Sequence, residues 1–178
     1  MISYHTFPNG LKMMHRQVRG LVSYAGLVVA CGSRQETEKQ QGMAHFIEHT
    51  AFKGSERYSA RQIIEKIEGV GGEMNAFTTK EETTFYATVP THYLKRAFSI
   101  LADITVSPTF PKDEINKERG VIYDEIASYN DSPSELIFDD FEALIYDNHP
   151  LAHSILGNAK TLRWFNTEKR SEEHTSEL

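Results

Sequence analysis

The sequence predicts an α+β domain, and three observations carry that expectation. Segments with strand-like alternation come in pairs joined by short turns, so the sheet is expected to be mostly antiparallel. Segments with helical periodicity come in runs instead of alternating with single strands. No internal repeat, low-complexity run or interdomain linker divides the 178 residues ahead of a short polar tail.

Residues 3–7 and 11–16 read as strands about Pro8-Asn9-Gly10, whose Asn-Gly step favours a tight hairpin. Residues 21–30, rich in Val, Leu and Ala, read as a strand buried on both faces and central in its sheet. The polar residues 36–41 lead into a helix of about residues 42–53. Ser59-Ala60-Arg61-Gln62 is a capping-box pattern; the helix behind it carries Ile63, Ile64 and Ile67 on one face and stops at Gly69. Residues 73–79 and 83–89 form the next strand pair, about Lys80-Glu81-Glu82. In its second strand Phe85, Ala87 and Val89 alternate with Thr84, Tyr86 and Thr88, which makes one face apolar and the other mixed.

Leu94, Ala97, Phe98, Leu101 and Ile104 recur at helical spacing. Pro108 and Pro111 break that helix, and Pro111 opens a long one reaching about Tyr129. Gly120 inside it is unfavourable by ~1 kcal/mol against Ala, and close packing is the expected reason. Ser132-Pro133-Ser134-Glu135 joins a second capping-box pattern to a proline at the first helical position. The helix it starts bears Leu136, Ile137, Phe141, Leu144 and Ile145.

Composition excludes several functions. The net charge is −6 and no basic stripe interleaves with aromatics, so no nucleic-acid partner is expected. The one cysteine, Cys31, rules out an internal disulfide and reads as a small buried residue ending a strand. No apolar run approaches the ~20 residues of a membrane span. The start Met1-Ile2-Ser3-Tyr4-His5 lacks a charged-then-apolar signal segment, so a cytoplasmic location is expected.

The chemistry centres on His45-Phe46-Ile47-Glu48-His49. On a helix, positions four apart lie one turn apart on the same face, so His45 and His49 aim two imidazoles at one spot with Glu48 beside them. Zinc takes imidazole nitrogen at about 2.0–2.1 Å, and catalytic sites pair three protein ligands with a water. A neighbouring carboxylate free to accept a proton completes a hydrolytic unit. The order H-x-x-E-H is the inverzincin motif. The competing reading is an amphipathic helix whose histidines are solvated or satisfied in the core. A third ligand has to come from elsewhere, and the helix of residues 111–129 offers Asp113, Glu114, Glu118, Asp124 and Glu125. Glu118 and Glu125 are two turns apart on nearly one face, with Val121 and Ile122 between them favouring an inward orientation. His149 and His153 are also four apart, but Pro150 forbids a helix there, so they read as a surface turn.

Several runs together resemble the M16 (pitrilysin/insulinase-type) zinc metallopeptidases, which include mitochondrial processing peptidase. They are Cys31-Gly32-Ser33-Arg34-Gln35-Glu36, Gly42-Met43-Ala44-His45-Phe46-Ile47-Glu48-His49 and Ala51-Phe52-Lys53-Gly54. The resemblance continues through Gly71-Gly72-Glu73-Met74-Asn75-Ala76-Phe77-Thr78 and Glu118-Arg119-Gly120-Val121-Ile122-Tyr123-Asp124-Glu125-Ile126, and covers residues 5–165.

The resemblance implies a sheet packed with helices on one side and one Zn2+ per active site. His45, His49 and Glu125 are then the metal ligands, with Asp124 the runner-up to Glu125. Glu48 is the general base. Glu118 is the accessory catalytic glutamate, bonded to a ligand or to the water. The strand Asn75, Ala76, Phe77 and Thr78 is implied to bind substrate by adding an extended peptide to its edge, against the plainer reading of an ordinary edge strand.

The function expected is a zinc endopeptidase of peptides or unfolded polypeptide segments. The rivals are a catalytically weak peptide-binding or structural subunit of a two-subunit assembly, and a non-peptidase metal hydrolase on a similar scaffold. Residues 1–169 are expected to be an incomplete N-terminal catalytic domain, whose partner is a second, similar M16-like domain or subunit. Residues 170–178, Arg-Ser-Glu-Glu-His-Thr-Ser-Glu-Leu, read as a non-native tail. The same nonapeptide is encoded by the adapter sequence AGATCGGAAGAGCACACGTCTGAACTC.

Overall fold

A computed structural model describes residues 1–165, and the expected tail lies outside the described residues. A hairpin of β1 (Ile2–Thr6) and β2 (Lys12–Arg16) stands apart as its own two-stranded sheet. The main sheet is antiparallel and has three strands: β3 (Val22–Val29), β4 (Glu73–Thr78) and β5 (Thr83–Pro90), in the order β3-β5-β4. Between β3 and β4 lie α1 (Met43–Ala51) and α2 (Ala60–Glu68). After β5 come α3 (Leu94–Val106), α4 (Lys112–Asn130), α5 (Pro133–Ile145) and the short α6 (Ala159–Leu162). The α+β class and the antiparallel hairpin pairing are as the sequence predicts.

The central strand is β5, not the Val/Leu-rich segment the sequence placed there. Phe85, Ala87 and Val89 of β5 are buried against Ala97, Ile100, Leu101 and Ile104 of α3, with Ile63 and Ile67 of α2 and Ala51 of α1 completing the cluster. Strand β3 lies at the edge and alternates: Ala25 is buried, while Tyr24 and Val28 are 80% and 61% exposed. A continuous apolar run therefore hides a period of two, because only one side of β3 meets helix.

Three smaller expectations also change. Ile64 and Phe98 are 44% and 43% exposed, so each helix buries a narrower stripe than predicted. The capping box at Ser59 forms, with Ser59 and Gln62 exchanging side-chain and backbone bonds. The one predicted at Ser132 does not: its hydroxyl lies 3.3 Å from that of Ser134 and makes no cap bond. Cys31 is half-buried just past β3.

A second apolar cluster joins Met43 and Phe46 of α1 to Ile115 and Ile122 of α4, with Phe110, Leu162 and Phe165. Helix α1 is thus gripped from both ends, Ala51 in the first cluster and Phe46 in the second. Burying apolar side chains fully is worth roughly 1.5–3 kcal/mol each, so this double anchoring fixes which face of α1 meets α4. Gly120 of α4 has open space where a Cβ would stand, so close packing does not explain it. Gly120→Ala is expected to stabilise the protein by roughly 0.5–1 kcal/mol. Chemical denaturation measures this, and a loss of stability would reveal a steric demand at that position.

Candidate metal centre

The motif residues lie mid-helix on α1, and the helix is held at its N-terminus. Gly42 sits at φ +88, where a Cβ would come within 2.6 Å of the Leu156 carbonyl oxygen. Glycine is required by both the dihedral and the contact. The Glu36 carboxylate accepts the backbone N–H groups of Gly42 and Ala44 at 2.8 and 2.7 Å. It satisfies orphan donors of the first turn and complements the helix dipole.

From this base His45 and His49 project toward α4 with ring centroids 4.6 Å apart. Glu125 meets both: its carboxylate oxygens lie 3.7 Å from His45 Nε2 and 3.5 Å from His49 Nε2. One ligand atom from each of the three falls within 4.8 Å of the others, and no other such group occurs among the described residues. Bonds of about 2.0–2.1 Å in a tetrahedron put ligand atoms about 3.3 Å apart. Two neutral-capable imidazoles and one carboxylate, already close to that spacing, fit a zinc ion. Asp124 is exposed on another face of α4, and His149 and His153 flank the turn Pro150–Ala152 outside the cluster.

Glu118 and Glu125 address opposite edges of the same ring. Glu118 is buried, and its Oε2 lies 3.2 Å from His49 Nδ1 while its Oε1 pairs with Lys53 Nζ at 2.8 Å. Such a partner fixes the orientation of the imidazole and raises its basicity. Glu48 points toward the sheet, where its Oε2 accepts a 2.6 Å hydrogen bond from the Thr78 hydroxyl.

Burial, with His49 adding to it, pushes His45 down to about 4 against the opposing pull of Glu125. Near neutral pH His45 is therefore uncharged, the form in which imidazole binds metals. Burial also lowers His49, but its bonds to Glu125 and Glu118 outweigh it and leave the ring above its usual value. The bond from His49 holds Glu125 low, chiefly against desolvation. Burial raises Glu48, and the Thr78 bond only partly offsets this. A carboxylate raised in this way is better matched to accepting a proton near neutral pH.

Two cavities flank this cluster, and Glu48 lines both. One, of about 380 Å3, has Phe52, Ile67, Met74 and Asn75 in its wall together with Glu118. The other, of about 310 Å3, is bounded by Ala76, Phe77 and Thr78 on one side and by Asp139 and residues 154–156 on the other. Strand β4 borders both cavities in passing, and among the described residues its outer edge has no strand partner. The Ala76 N–H bonds to the Asn75 side chain at 2.9 Å. Sequence reasoning missed Lys53, Glu36 as a cap and the Thr78–Glu48 bond. Lys53 stands four after His49, a spacing that could have drawn notice; Glu36 reaches its partners only through the fold of the loop ahead of α1, and the Thr78–Glu48 bond depends on a tertiary contact.

Two imidazoles and a carboxylate with a second carboxylate beside them are the donor set that metal-dependent hydrolases use. Comparison with known proteins gives the family: the chain belongs to Insulinase (Peptidase family M16), whose family model matches residues 14–159. It is 40% identical over 167 residues to an uncharacterized zinc protease, YmxG, of Bacillus subtilis, covering 93% of this chain and 41% of that protein. It is 38% identical over 158 residues to the beta subunit of the mitochondrial-processing peptidase of Bos taurus, covering 89% of this chain and 32% of that one. A protease from Helicobacter pylori shares the fold with a TM-score of 0.92 at 23% identity, across 99% of this chain and 43% of its own. The chain thus spans less than half the length of these relatives. Among the described residues no helix is long and apolar enough to cross a membrane.

Proposed function

We propose that the full-length protein is a zinc endopeptidase acting on peptides or unfolded polypeptide segments, with this chain carrying its catalytic groups. The observation that carries the reading is the convergence of His45, His49 and Glu125 on one point, with Glu48 beside it and an unpaired strand edge alongside. His45, His49 and Glu125 would hold a zinc ion, which when bound would supply polarisation of the scissile carbonyl and acidification of a water. Glu48 is placed to take a proton from the attacking water and to deliver it to the leaving amine. Glu118, braced by Lys53, keeps the His49 ring in place. An extended peptide pairs with the outer edge of β4, once the Asn75 side chain yields the Ala76 N–H, and so brings its backbone past Glu48. Residues 1–169 act as part of a larger catalytic domain. A second, similar domain or subunit closes the far side of the cleft, in keeping with the relatives' greater length.

The test is a digestion of mixed peptides by the full-length protein with and without chelator. Cleavage that stops with chelator and returns with zinc supports the reading. Tight peptide binding with no cleavage would favour a peptide-binding subunit instead. The strand's role has its own test. Ala76→Pro removes an edge N–H and is expected to lower peptide cleavage at least tenfold with zinc content unchanged. Equal loss of zinc and cleavage would mean a damaged fold and leave strand addition unsupported.

A further inference from the structure

We infer that Lys80 is a positioning residue for the peptide cleft, a clamp that sets the distance between the substrate strand and the opposite wall. The inference deepens the peptidase reading above and rests on it.

Lys80 sits in the turn between β4 and β5, where a lysine is ordinarily solvated. Here its side chain is only 14% exposed. An ammonium group has three donors and no acceptor, and all three are taken. Nζ bonds to the carbonyl oxygens of Leu151 and His153 at 2.8 and 2.9 Å, and to Glu142 Oε2 at 2.5 Å. Asp139 Oδ1 stands 4.0 Å away as a second counter-charge.

These partners lie on two separate pieces of chain, the helix α5 and the segment beside the Pro150–Ala152 turn. Asp139 of α5 and residues 154–156 of the following segment form the wall that faces β4 across the 310 Å3 cavity. That segment is fixed at its far end by Gly157, which packs against Gln41 and Gly42 at the start of α1, and by Asn158, which bonds to the Gln41 side chain. At its near end the Pro150–Ala152 turn packs against α5 and residues 33–35, and Lys80 adds the hydrogen bonds that tie it to the turn after β4. Lys80 follows Thr78 by two residues, so the residue that braces Glu48 and the residue that braces the wall share one turn. Lys80 thus links the wall directly to the strand that carries Ala76, Phe77 and Thr78.

Lys80 touches neither Glu48 nor the metal ligands. Its loss should therefore change how substrate is held, not how the bond is broken. In Lys80→Met, Glu142 is 38% exposed and can regain water, while Asp139, 22% exposed, loses only a counter-charge 4.0 Å away. A substitution that weakens the hold on bound peptide equally in the ground and transition states raises KM and leaves kcat alone. In the full-length protein, Lys80→Met is expected to raise the KM for a cleaved peptide about tenfold on that basis, with kcat and zinc content near wild type. If Lys80→Met accumulates poorly, Lys80→Gln takes its place, because its amide, uncharged and one atom shorter, still carries two donors to offer the two carbonyls. The same split is expected in smaller measure.

An unchanged KM in a folded variant would overturn the inference. So would a fall in kcat or zinc in step with the rise in KM, since that would make Lys80 a general fold element. Wild-type protein that cleaves no peptide would instead sink the peptidase reading itself, so the two failures are distinct.

Discussion

Glu48→Gln in the full-length protein is expected to keep its zinc and to lose peptide turnover by about 10²–10⁴-fold, the usual contribution of a positioned general base. The substitution is nearly isosteric. The amide oxygen can still accept the 2.6 Å bond that the Thr78 hydroxyl now gives to Glu48, so the side chain stays where it is. Glu48 is not among the three residues whose ligand atoms converge, so zinc content should not follow activity. What the variant lacks is a basic oxygen. Burial, the largest influence on Glu48, raises its affinity for a proton, and the amide has no comparable affinity. Turnover and metal content measured on the same preparation decide the matter. Turnover within a few-fold of wild type would remove Glu48 as the base, and simultaneous loss of zinc would mean that it also supports the site's structure.

That α1 could be read so directly follows from helical geometry. Spacing alone puts His45 and His49 on one face, and no distant residue is needed to know it. The strand pair β4–β5 was legible for a similar reason, since the alternation of Phe85, Ala87 and Val89 records burial on one side. Strand β3 was not, because the sequence of an edge strand with an exposed apolar face looks like that of a strand covered on both sides. The proposed third ligand lies between these cases. Several acids of α4 were candidates by composition, and spacing narrowed them only to a face. Which acid meets the histidines is set by how α1 docks on α4 through Phe46, Ile115 and Ile122. That docking is a tertiary fact, and in the sequence only the family resemblance singled out Glu125. The Lys53–Glu118 and Thr78–Glu48 pairs join residues 65 and 30 apart in the chain, where periodicity carries no signal.

The same geometry makes an ordered prediction for metal affinity across α4. Glu125→Gln is expected to weaken zinc binding most, Glu118→Gln less, and Asp124→Asn hardly at all. Glu125 stands 3.7 and 3.5 Å from the Nε2 atoms of both histidines, and its carboxylate is held in the ionised form chiefly by the bond from His49. It is the one anionic donor in a set otherwise made of imidazoles, so an amide there removes charge and ligand strength together. Glu118 reaches only the Nδ1 edge of His49. Removing an outer partner of that kind costs roughly 10–100-fold in affinity, and Glu125→Gln should exceed that range. Asp124 is about 100° further round the helix and exposed, which makes it the control for a simple change of charge on α4. Competition with a chromophoric chelator gives all three affinities on one scale. If Glu118→Gln proved the more damaging of the two, Glu118 would belong on the metal and Glu125 would not. A loss at Asp124→Asn as large as at Glu125→Gln would show that net charge, and not coordination, governs the site.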